Sequence, residues 1–226
     1  MTSVPSQLVL PLSTAPALER ADFIAAPCNA QALAFIDAYP NWPAPAAAIH
    51  GPTGSGKSHL AGVWARQAGA AVVEAAQIDD SVLVQLGDGQ PLVVENVDRV
   101  SGPAHESPLF ALFERGNPLL LTAHEPPDGW PVLMPDLSSR YRALLAFPLW
   151  APDDALLVGL AGKLLADRQL IVPAQVVSAM VANLERSPGA VRDFIALLDE
   201  RALSQKRAVN LGLLRELIGE RQASHP

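Results

Sequence analysis

The chain is 226 residues long and half of these are hydrophobic, which suffices for one ordinary domain plus a smaller one with a sizeable core. Its 16 basic and 23 acidic residues leave a formal net charge of −7, against a protein whose main business is wrapping around nucleic acid, because neutralising phosphates needs clustered Lys and Arg. The single cysteine, Cys28, excludes an internal disulfide framework and a Cys-rich zinc site, fits a reducing cytoplasm, and reads as a packed small hydrophobe rather than a nucleophile.

The first basic residue is Arg20 and no apolar run approaches the length of a membrane span, so no targeting segment is expected and the protein is expected in the cytoplasm, off the membrane. Residues 1–20 contain Pro5, Pro11 and Pro16 without helical periodicity and read as an extended arm. Extended backbone points Leu8, Leu10 and Leu12 of Gln7-Leu-Val-Leu-Pro-Leu12 the same way, where solvent gives them no reward. Two readings stay open. The segment is an edge strand or flap packed on the parent domain, or it is a linear motif whose Gln7, Leu8, Leu10, Pro11 and Leu12 dock into an apolar pocket on a partner.

Residues 21–151 read as an α/β domain. Leu33, Phe35, Ile36 and Tyr39 predict a helix over 28–39 closed by Pro40, and Ala46-Ala-Ala-Ile49 a strand. Gly51-Pro52-Thr53-Gly54-Ser55-Gly56-Lys57-Ser58 follows and fits G-x-x-x-x-G-K-[ST], the phosphate-binding loop of P-loop proteins. The glycines let successive backbone N–H groups form a concave nest at the positive end of a helix starting near Lys57. Lys57 would reach the β/γ-phosphates, Ser58 would hold Mg²⁺, and His59 closes the nucleotide-contacting run. The bland alternative is a glycine-rich turn with a stray lysine, but the strand–loop–helix context agrees with the motif.

Ala71-Val-Val-Glu74 predicts a second strand, 77–86 a helix, and Pro91-Leu-Val-Val94 a buried third strand that delivers Glu95, Asn96 and Asp98 to its carboxyl end. In P-loop ATPases acidic residues here hold the Mg²⁺ shell and polarise water. Glu95 can still serve the metal, through water. Asn96 cannot accept a proton as a carboxylate does, so slow hydrolysis is expected, while Asp98 reads equally as a turn residue. A helix over 108–115 leads to the fourth strand, Pro118-Leu-Leu-Leu-Thr122, whose Thr122 and nearby His124 are candidates to sense the γ-phosphate or its water; a lone histidine at a strand end is more often an ordinary surface residue. A helix starting at Pro135, with Asp136 as cap candidate, precedes the fifth strand, Leu145–Leu149.

From residue 152 to 226 the alternation stops, and four helices are predicted over 152–169, 173–185, 189–206 and 211–221, a small all-α lid domain. Arg192 starts the third and either reaches nucleotide phosphates or forms an ordinary surface ion pair.

A P-loop domain with a parallel five-stranded sheet followed by a helical lid resembles the AAA+ ATPases, and the details are similar to the DnaA ATPase-domain family in its Hda-like branch, over nearly the whole chain. Leu119-Leu-Leu-Thr-Ala-His-Glu-Pro-Pro127 and Met134-Pro-Asp-Leu-Ser-Ser-Arg-Tyr141 look like the family's sensor 1 strand and arginine-finger segment, and Ser187-Pro-Gly-Ala-Val-Arg192 its sensor 2. His124 departs from the polar acidic or amide residue expected at sensor 1. Three features favour the Hda-like branch: no basic DNA-reading domain is expected after the lid, Asn96 matches a weakened Walker B, and Gln7–Leu12 looks like a motif for docking on the DNA polymerase sliding clamp.

The resemblance implies a protein that binds ADP or ATP with Mg²⁺, sits on the clamp, and uses Arg140 in trans to promote hydrolysis of DnaA-bound ATP. It also implies a homodimer by head-to-tail stacking, and DNA reached only through the clamp. Three alternatives remain: a self-contained ATPase or loader, an adaptor that uses nucleotide structurally, and a DnaA-like initiator paralogue.

Overall fold

The computed structural model describes residues 19–87, 89–205 and 207–223. The leucine-rich motif at 7–12 lies outside them. In chain order the elements are α1 (Ala30–Asp37), β1 (Ala46–His50), α2 (Lys57–Ala68), β2 (Ala71–Glu74), α3 (Asp80–Gln85), β3 (Leu92–Glu95) and α4 (Pro103–Arg115). Then come β4 (Leu119–Ala123), α5 (Pro135–Arg142), β5 (Leu145–Pro148), α6 (Asp154–Asp167), α7 (Ala174–Ala182), α8 (Pro188–Gln205) and α9 (Leu211–Ala223).

The five strands form one parallel sheet in the order β2-β3-β4-β1-β5. Its three inner strands are the apolar runs Ala-Ala-Ala-Ile, Leu-Val-Val and Leu-Leu-Leu-Thr, buried along their length as strands covered on both faces must be. The edge strand β2 alternates, leaving Val72 half-exposed. Alternation sorts the inner side chains. Ala47, Ile49, Val93 and Leu120 pack with α1 and α2, whereas Ala48, Leu92, Val94, Leu119 and Leu121 pack with α3, α4 and α5. Fully buried Trp64 stacks on Trp42, ring centroids 4.9 Å apart, in the first of these layers.

Helices α6 to α9 enclose a separate core around Leu157, Val177, Phe194, Ile195, Leu213 and Leu217. Among the described residues no helix is long and apolar enough to cross a membrane.

Two local expectations change. Helix α4 begins at Pro103, not Pro108, and carries Pro108 in its interior. The Pro108 side chain is buried, and its burial outweighs the intrahelical hydrogen bond that its missing N–H forfeits. Asp136 does not cap α5: Met134 occupies the cap position, and Asp136 stands in the first turn, where its charge favours the helix dipole.

Candidate functional site

The P-loop joins β1 to α2 at the carboxyl end of β1, between the ends of β4 and β5. Its shape requires glycine. Gly54 and Gly56 lie at φ 77° and 101°, and a Cβ on Gly51 would stand 2.0 Å from the Leu149 carbonyl oxygen. A Cβ on Gly54 would stand 2.8 Å from Ser187 Cβ, so the loop lies directly against the turn that opens α8.

Lys57 is buried, and its ammonium donates to the carbonyls of Gly51 at 2.7 Å and Pro52 at 2.9 Å. Burial lowers its pKa, Arg99 acts in the same direction, and Asp98 and Glu95 oppose. Pro52, Thr53 and Ser58 are exposed; Ser55 is buried, and its hydroxyl has no hydrogen-bond partner among the described residues.

A cleft between the loop and the helical region is lined by Phe23, Ile24, Ser55, His59, Leu156 and Arg192, among others. The region's helices bind the segment before α1 directly: Lys163 donates to the Ala21 carbonyl and to Asp22. Arg192 Nη2 donates to His59 Nδ1 at 3.0 Å. The sequence reading missed Asp22, Phe23 and Ile24, because single apolar residues in a proline-broken stretch show no period.

The ends of β3 and β4 form a second cluster. The Thr122 hydroxyl, fully buried, accepts the Asn96 backbone N–H at 3.1 Å and ties the two strands together. Asn96 sits at φ 60°, and its side-chain amide donates to Glu74. Asp98, beyond a turn reading, accepts the backbone N–H of His124 at 2.7 Å and of Glu125 at 3.2 Å. His124 Nε2 lies 3.2 Å from Thr53 Oγ1 and receives Arg99 Nη2 at 3.3 Å, so the structure brings His124, but not the Thr122 hydroxyl, to the P-loop. Arg99 carries no sequence motif; only the fold reveals it.

Arg140 is elsewhere. It is half-exposed on α5 and donates to Glu114 of α4 rather than to any P-loop group.

No family model and no curated protein matches the sequence. Solved structures do. Domain III of the replication initiation protein DnaA from Thermotoga maritima is 18% identical, with a TM-score of 0.75 over 91% of this chain and 97% of that one. DnaA from Aquifex aeolicus, bound to AMPPCP, is 18% identical with a TM-score of 0.73 over 92% of this chain and 70% of that one. The T. maritima Holliday junction branch migration motor RuvB is 16% identical with a TM-score of 0.64, over 82% of this chain and 65% of that one. At such identities the likeness is one of fold: the chain has the fold of the DnaA AAA+ domain, a parallel five-stranded sheet with surrounding helices and a mostly helical C-terminal region.

Proposed function

We propose that this protein is a DnaA-related AAA+ regulator that binds ADP or ATP, docks on the DNA polymerase sliding clamp and stimulates hydrolysis of DnaA-bound ATP, so restraining replication initiation in the cytoplasm. The DnaA-like fold and the bound AMPPCP of its Aquifex counterpart support the nucleotide reading.

The residues present fit a nucleotide. The loop from Gly51 to Gly56 presents backbone donors, Lys57 has only carbonyls as partners among the described residues, and Ser55 keeps a buried hydroxyl unpaired beside a cleft that Phe23, Ile24 and Leu156 line with the cationic Arg192. Lys57 and Arg192 would hold the phosphates, with Ser58 and, through water, Glu95 holding Mg²⁺, which supplies charge neutralisation when bound. His124 would sense the phosphate end through Thr53. The chain divides on this reading into the arm 1–20, the nucleotide-binding domain 21–151 and the lid 152–226.

One observation favours a regulator over a motor. Asn96 stands where a general base would be, and its amide is committed to Glu74. An amide cannot take a proton from water at neutral pH, so this site is better suited to holding nucleotide than to turning it over. Arg140, exposed on α5, is free to leave Glu114 and enter a neighbour's site, where a cation stabilises charge developing on a transferring phosphoryl group.

The test is DnaA–ATP hydrolysis in the presence of DNA-loaded clamp. The intact chain should stimulate it while hydrolysing little ATP alone. Leu10→Ala with Leu12→Ala should weaken clamp binding at least about tenfold, ~1.4 kcal/mol, and Arg140→Ala should keep nucleotide and clamp binding but lose stimulation. Brisk turnover by the isolated chain, or unchanged stimulation by Arg140→Ala, would sink the proposal.

A further inference from the structure

His59 is the third residue of α2 and is 7% exposed. Its Nδ1 receives Arg192 Nη2 from α8 at 3.0 Å. A guanidinium has no acceptor, so Nδ1 must accept and the ring proton must sit on Nε2: the contact itself fixes the tautomer. Phe23 packs against the ring in a T-shaped arrangement at a centroid distance of 5.2 Å.

The choice of a neutral partner has a consequence for charge. An arginine held by a carboxylate is already neutralised, whereas one held by an imidazole keeps its whole charge for another anion. Arg192 lines the cleft with Ser55 and Gly56 of the P-loop, and burial, only partly offset by Asp22 and Asp193, lowers its pKa. A desolvated cation without a bonded carboxylate is poised for an anion.

We infer that His59 is the positioning residue of Arg192: its Nδ1 lone pair holds the guanidinium against α2 without a bonded carboxylate, and so couples the C-terminal helices to an anionic ligand on the P-loop. This rests on the nucleotide reading of the cleft. His59 then acts through Arg192, not by touching the nucleotide.

The experiment is ADP affinity by titration calorimetry for the intact chain, His59→Phe, His59→Asn, Arg192→Ala and the double variant His59→Phe with Arg192→Ala. Asn keeps an acceptor oxygen near the Nδ1 position; Phe keeps the ring alone. His59→Phe should bind about fivefold more weakly, His59→Asn should recover most of the loss, and His59→Phe should cost nothing further once Arg192 is gone. Equal affinity for His59→Phe and the intact chain overturns the inference, as does a full loss in the Arg192→Ala background or no recovery with Asn. Side-chain ¹⁵N spectra of the nucleotide-free protein decide independently of ligand. They should show His59 protonated on Nε2, in a form that changes in Arg192→Ala; a proton on Nδ1 overturns the contact. Failure of the intact chain to bind ADP would remove the nucleotide reading, and the ¹⁵N result would then stand on its own as the test of Arg192 positioning.

Discussion

Around Lys57 the geometry is imposed by backbone: Gly51, Gly54 and Gly56 all have positive φ, and two of them leave no room for a side chain. Around Arg140 it is imposed by one side chain. Glu106 of α4 is 3% exposed, and its carboxylate accepts the backbone N–H of Gly102 at 2.8 Å, Leu133 at 3.0 Å and Met134 at 2.7 Å. Leu133 and Met134 lead straight into α5, so Glu106 fixes where the helix bearing Arg140 begins. The comparison teaches that two regions assigned to one proposed activity can be rigid for different reasons, one conformational and one electrostatic, and that they should break differently.

The largest effect is expected at the loop. Gly51→Ala drives a Cβ into the Leu149 carbonyl, where the obstacle is backbone and cannot rotate aside. A loss of about 3 kcal/mol or more in urea unfolding is expected. Gly69→Ala is the control, because Gly69 also has positive φ, 66°, but nothing lies within 4 Å of a Cβ there. It should lose only about 1 kcal/mol, the conformational cost alone. Equal losses would mean that φ, and not the close approach, makes the loop rigid.

Next comes Glu106→Ala, expected to cost about 3 kcal/mol because three backbone donors lose a charged acceptor in a buried place. Burial by itself would raise this carboxyl, but the N–H groups of Leu133, Gly102 and Met134 outweigh it and hold the folded-state pKa below the ordinary glutamate value. A depressed folded pKa gives stability that is fully present above the unfolded value and is lost as pH falls through the folded one. The intact chain should therefore lose stability in acid more steeply than Glu106→Ala. Parallel acid limbs in the two unfolding profiles would show that Glu106 is not the charged anchor of α5.

The same contrast explains what could be read in the sequence. Hydrophobic runs and breakers were enough for five parallel strands, the loop and the four C-terminal helices, because apolar patterning and glycine positions are local properties. The P-loop was legible for the same reason, since its chemistry is carried by eight consecutive residues. Arg99, Glu106 and Phe23 were not legible. Arg99 meets His124 across 25 positions and Glu106 meets Met134 across 28, and no spacing rule reaches so far. Pro108 misled because its ordinary preference for a helix start yields here to a buried position in the middle of α4. Asp98 looked like a turn residue and is also the acceptor that holds the end of β4.

The smallest effect on the fold is expected at Arg140, although the proposed activity depends on it most. Its partner Glu114 is as exposed as it is, 49% against 51%, and solvent screens such a pair. Arg140→Ala should change stability by no more than about 0.5 kcal/mol and the melting temperature by about 1–2 °C, read by scanning calorimetry. That near-neutrality gives the hydrolysis assay its meaning. If the variant melts with the intact chain and no longer stimulates DnaA, the lost group acted on the partner and not on the fold. If it melts well below, then Arg140 and Glu114 help hold α5 on α4, and the loss of stimulation would report a displaced helix. Glu114→Ala separates the two cases: it breaks the same pair but leaves the arginine, so a stable, active Glu114→Ala beside a stable, inactive Arg140→Ala assigns the activity to the guanidinium alone.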